Sequence, residues 1–87
     1  MNREAIKNHL KIILSEQEDG KISSKEAYIL LIQRMDLSEN VLNELYIDKK
    51  GYTKSKFKVK VQAAVESLRK ENILLRGGQR GVWKINK

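Results

Sequence analysis

Cysteine is absent from the chain and histidine occurs once. The first absence removes a disulfide framework, a Cys-based zinc site and a thiol nucleophile. The second leaves a single imidazole, His9, too few for a usual zinc ligand set. Long hydrophobic runs are missing too. Stretches such as "YILLI" at 28–32 fall far below the roughly 20 apolar residues that cross a bilayer, and residues 1–20 lack the apolar core of a signal peptide. The expectation is an intracellular, cytoplasmic protein with no membrane partner. Carboxylates are scarce in the second half, where only Glu66 and Glu71 occur after residue 48. A Mg²⁺-dependent nuclease needs clustered carboxylates, and that half does not supply them.

What is present is one domain's worth of chain, 1–87, with 40% apolar and 33% charged residues, a balance that folds rather than stays disordered. A chain of this size buries about 60% of the surface it exposes unfolded, so its core is modest. The charge is segregated. Residues 1–48 hold six Lys/Arg against nine Asp/Glu, and residues 49–87 hold twelve against two, giving net charges of −3 and +10. Solubility alone does not ask for such segregation; a basic surface for a polyanion does.

Apolar periodicity predicts a helix over 2–15, with Ile6, Leu10, Ile13 and Leu14 on one stripe. Gly20 breaks the chain, and Ile22 adds a strand residue at most. "SSKE" at 23–26 reads as a capping box opening a helix to about Met35. "AYILLI" is apolar on most sides, so this helix is expected to be the central, most buried one. Ser38 caps a short helix to about Leu45, with Val41, Leu42 and Leu45 inward, and "IDKKGY" at 47–52 reads as a polar loop.

"GYTKSKFKVKVQ" at 51–62 admits two periods: a strand with one lysine face, or the start of a helix. Phe57, Val61, Ala64, Val65 and Leu68 share about 100° of a helical arc, which favours one helix over 54–71 capped by Thr53 or Ser55. Val59 then lands opposite the stripe and faces out. "ILLR" at 73–76 and "VWKIN" at 82–86 read as strands around the turn "GGQRG", with Trp83 and Ile85 on one face and Lys84 on the other. The expected fold is α+β, mainly α, with three to four helices and a C-terminal β-hairpin. A hairpin directly after a basic helix is the layout of a winged helix-turn-helix.

No enzyme constellation emerges. His9 has no paired serine and carboxylate, and reads as structural or solvated. Glu16, Glu18 and Asp19 lack the spacing of a calcium loop. "GGQRG" lacks the Gly-Lys-Ser/Thr of a P-loop. No catalytic residue, metal or cofactor is expected.

The basic helix carries the functional expectation. Its outward arc holds Ser55, Lys58, Val59, Gln62, Glu66 and Arg69, flanked by Lys56 and Lys60. Ser55, Lys58 and Gln62 are types that bond base edges, and phosphates brace the flanks. Val59 suits a C5-methyl of thymine or methylated cytosine; the competing reading is an ordinary exposed apolar residue. Lys49, Lys50 and Lys54 approach from the loop, near a helix N-terminus that favours phosphate. Arg76, Arg80 and Lys84 sit on the hairpin, within reach of a minor groove or backbone. Trp83 reads as core.

"FKVKVQAAVESLRKENILLRGGQRGVWKIN" resembles the N-terminal winged-helix domain of Mrr-type restriction endonucleases. Phe57, Val61, Ala64, Leu68, Ile73 and Arg80-Gly81-Val82-Trp83 with Ile85 match that family's spacing. The departures are Lys60 for its Arg, Ala63 for its Trp, and Asn72 for the Gly after its helix. Only residues 57–85 carry the resemblance with specificity. In that family the domain binds a DNA target, modified or not, and a separate nuclease domain cuts it. The resemblance therefore implies double-stranded DNA binding without cleavage, as target recognition for a restriction system or as a small regulator, nucleoid-associated when bound. Expected partners are double-stranded DNA, a nuclease domain or other protein, and a second copy as a homodimer. The chain also resembles winged helices that serve transcription machinery as docking modules, which gives the alternative: a protein-interaction module whose basic face meets an acidic partner such as a polymerase subunit, or which mimics a DNA binder to block one, a DNA-mimic inhibitor role.

Overall fold

A computed structural model describes residues 2–86 as an α+β domain, about half helical, with four helices and two small antiparallel sheets. Helix α1 (Arg3–Ser15) starts where the Asn2 side chain accepts the Ala5 amide at 2.8 Å, satisfying one of the first turn's orphan donors. Its stripe of Ile6, Leu10, Ile13 and Leu14 is buried, as the periodicity predicts. Gly20, at φ 66°, turns the chain back. Strand β1 (Lys21–Ser23) then pairs with β4 (Val82–Lys84), with Ile22 opposite Trp83 and Lys21 opposite Lys84. The expectation of a single strand residue at Ile22 is thus too small.

Helix α2 (Ser24–Arg34) begins with the Ser23 hydroxyl accepting the Glu26 amide. It is not the most buried helix. Ala27 and Leu31 alone are buried, while Ile29 is exposed. A domain this small has no further layer to cover a helix that is apolar all round. The core instead sits between α1 and the last helix, α4 (Lys56–Lys70), whose Phe57, Val61, Ala64, Val65 and Leu68 all point into it. The period-3.6 reading of the lysine-rich stretch therefore holds. The helix begins two residues later than expected, after Ser55, whose hydroxyl accepts the Lys58 amide.

Helix α3 (Glu39–Leu42), capped by Ser38, stops three residues short of Leu45. Leu45 is 59% exposed rather than inward, because it opens a strand. Strands β2 (Leu45–Ile47) and β3 (Thr53–Ser55) form a hairpin where a polar loop was expected. Asp48 builds its turn. One carboxylate oxygen accepts the Lys50 and Tyr52 amides, both at 2.9 Å, and Gly51 takes φ 85°.

At the far end of α4, Asn72 adopts φ 61° and the Ile73 amide returns to the Leu68 carbonyl. This is the left-handed helix exit usually given to Gly, with Asn as the other residue that tolerates it. The segment 73–76 is less than the expected strand. Leu74 bridges Ile85, the Leu75 amide bonds the Lys84 carbonyl and the Asn86 amide bonds the Ile73 carbonyl. β4 therefore lies between this segment and β1. Trp83 is buried, and Tyr28 meets both Trp83 and Phe57 edge-on at ring-centre distances of 5.8 and 6.0 Å.

Candidate nucleic-acid interface

Helix α4 is held from behind and open in front. Behind it, the core stripe and an ion pair with one buried end fix its pose. Lys7 of α1, 7% exposed, donates to Glu71 just past the end of α4 and to Glu4. The bond to Glu71 raises the Lys7 pKa against the opposing cost of burial. Lys7, then the Ser67 hydroxyl, hold the Glu71 carboxyl below its ordinary value.

The front face carries three clefts. The first, about 580 Å³, lies between Tyr28 of α2, the β3 side of the hairpin and the first two turns of α4. Lys54, Ser55, Lys58, Val59 and Gln62 line it with Tyr46 and Thr53. Among the described residues no carboxylate does. Gln62 Nε2 donates to the Tyr28 hydroxyl at 3.1 Å. The second, a shallower groove, has Tyr46 and Val59 with Lys56 and Lys60. The third, about 440 Å³, separates the last turns of α4 from the 76–81 turn. Arg69, Arg76 and Arg80 line it together with one carboxylate, Glu66.

Three separate segments thus bring most of the expected residues around one helix. Two expectations change. Val59 does not project freely; it is half-buried and shares two clefts with Tyr46 of the hairpin. Lys84 does not join Arg76 and Arg80 beside α4. It stands opposite Lys21 on the outer sheet face, while its neighbour Trp83 faces the core. Lys49 and Lys50 are exposed at the hairpin turn.

Several cations already have anionic partners: Lys54 with Asp48 at 3.2 Å, Lys56 with Glu44 at 3.8 Å and Arg69 with Glu66 at 2.8 Å. Among the described residues Lys49, Lys50, Lys58, Arg76 and Arg80 form no ion pair. The Asp48 carboxyl is held below its ordinary value, first by the Tyr52 amide and then by Lys54 and the Lys50 amide.

Sequence reasoning missed Tyr28, Tyr46 and Asp48. A usable signal existed for the last two. "LYI" and "YTK" flank "DKKG", two short β-prone runs separated by a Gly-containing turn. Tyr28 had none, since its place depends on the packing of α2 against Trp83. Among the described residues no helix is long and apolar enough to cross a membrane. Compared with protein-family models, with curated proteins and with solved structures, the chain matches none.

Proposed function

We propose that this chain is a winged-helix double-stranded DNA-binding domain without catalysis. Helix α4 approaches the major groove, and the turn at 76–81 acts as the wing. One observation carries the reading: cations from the β2–β3 hairpin, from α4 and from the 76–81 turn line successive clefts along a single helix, with Glu66 the only carboxylate among the lining residues. Such a surface complements a phosphate backbone, and the polar side chains between the cations suit base edges. The order helix, strand, helix, short helix, hairpin, basic helix, and then a strand bridged by the segment before it supports the winged-helix reading. The role implied by the resemblance of residues 57–85, target recognition for a restriction system or a small regulator, is part of the proposal.

The test is a gel shift on random duplex at two salt concentrations. Binding that weakens steeply with salt is expected. Absence of a shift at low salt would sink the proposal.

The second reading, a protein-interaction module, has its own observation. Leu45, Ile47 and Tyr52 of the hairpin are 59, 71 and 66% exposed, which puts apolar surface beside unpaired lysines. Leu45→Ser with Ile47→Thr separates the two readings. Duplex affinity stays unchanged if α4 and the 76–81 turn bind DNA, whereas capture of an acidic partner would be lost.

A further inference from the structure

We infer that the cleft between Tyr28, the β2–β3 hairpin and the first turns of α4 receives one nucleobase out of the DNA stack. The inference rests on the DNA-binding reading and deepens it.

Access comes first. A major groove about 12 Å wide admits a helix or a two-stranded ribbon. A helix with its side chains is already 10–12 Å across, and strands β2 and β3 stand beside the start of α4. Helix and hairpin do not fit one groove side by side. Lys58 and Gln62, expected at base edges, are exposed side chains that line the cleft between helix and hairpin, where a nucleotide turned out of the stack meets them together with the hairpin wall.

The chemistry of the walls agrees. At about 580 Å³ the cleft has the size of a small-ligand site. Two tyrosines, Tyr28 and Tyr46, line it from different elements, and aromatic rings are what an unstacked base packs on. The Gln62 carboxamide, pinned through one N–H by the Tyr28 hydroxyl, keeps an acceptor and a second donor for a base edge. Glu44 bonds Lys56, and Asp48 bonds Tyr52, across the hairpin. Antiparallel alternation therefore turns the peptide groups of Thr53 and the amide of Ser55, whose carbonyl belongs to the start of α4, to the open edge of β3, which borders the cleft. Lys54 and Lys58 complete the lining and suit the flanking phosphates. Aromatic walls, a fixed amide, peptide donors and acceptors, and cations without a carboxylate are the requirements of an extruded nucleotide.

Extrusion costs least where the base is not paired. The full chain is titrated with duplexes carrying 2-aminopurine either paired or opposite a mismatch, and both affinity and fluorescence are read. The mismatched duplex is expected to bind about tenfold tighter, with a rise in 2-aminopurine fluorescence at one position. Tyr46→Ala is expected to abolish the mismatch preference and the rise, while Tyr46→Phe, which keeps the ring, retains both. Salt-dependent binding with equal affinities and no fluorescence change overturns this inference and leaves the DNA reading intact. Absence of binding to any duplex overturns both. A free nucleoside monophosphate that displaces the mismatched duplex at comparable affinity assigns the cleft to free nucleotides and also overturns the inference.

Discussion

Asp48 shows how one side chain sets a functional surface. Its carboxylate ties together the turn of the β2–β3 hairpin and holds Lys54, so it positions one wall of the cleft without lining it. Because its pKa lies below the ordinary value of 3.8, the folded state binds the Asp48 proton less readily than the unfolded chain does. Its contribution is then present above that value and is lost as pH falls through the depressed folded pKa. The expected outcome is a hairpin stable at neutral pH that loosens only in acid, followed through the Lys50 and Tyr52 amide resonances. Asp48→Asn keeps an acceptor for both amides and should flatten that acid transition while weakening the hold on Lys54. An unchanged transition in the variant would show that another group controls the turn. The Lys7–Glu71 pair works from both ends. Its stabilisation is present above the ordinary Glu pKa and below the ordinary Lys pKa, because the first group is lowered and the second raised.

At the scale of elements, α4 joins core and interface, and its two faces were unequally legible. The inward stripe could be read because burial imposes a helical period on Phe57 through Leu68, and five buried residues leave a clear signal. Val61 is fully buried within it. Val61→Pro should cost about 3 kcal/mol or more by removing a hydrogen bond and clashing with the preceding turn. Leu68→Ala should cost about 2–5 kcal/mol by opening a cavity. Chemical denaturation measures both, and a loss below 1 kcal/mol for Leu68→Ala would mean that the α1–α4 seam collapses to fill the gap. The outward face was legible only as a list of residue types. Whether Val59 and Gln62 stand proud or recessed depends on the hairpin beside them. Three-residue strands carry too little alternation to announce themselves, and Leu45 and Ile47 look like core residues until the pairing turns them out. The same limit hid the β1–β4 pairing, a contact between residues some sixty positions apart that no local pattern records. The helix exit lay between these cases. Asn72 departs from the expected Gly, yet its left-handed φ performs the same turn.

For the molecule as a whole, what matters is which charges are available, not how many there are. The net charge is +7, but Lys54, Lys56 and Arg69 already face carboxylates. If the unpaired set of Lys49, Lys50, Lys58, Arg76 and Arg80 meets phosphates, the slope of log K against log salt should be about −4.5, a loss of several hundredfold between 50 and 200 mM. Glu66 tests whether position or net charge governs this. Its carboxylate accepts from Arg69 Nη1 and is the only acidic group lining the cleft shared with Arg76 and Arg80. Glu66→Gln releases a guanidinium toward the DNA and removes a repulsive charge, so duplex affinity at low salt should rise and the slope should steepen by about 0.9. Glu39→Gln changes the net charge by the same amount on α3, where Glu39 forms no ion pair among the described residues. It should leave the slope unchanged and affinity nearly so, because Glu39 holds no cation back from the phosphates. Equal effects of the two substitutions would mean that DNA senses the total charge of the domain and not the arginine cleft beside α4.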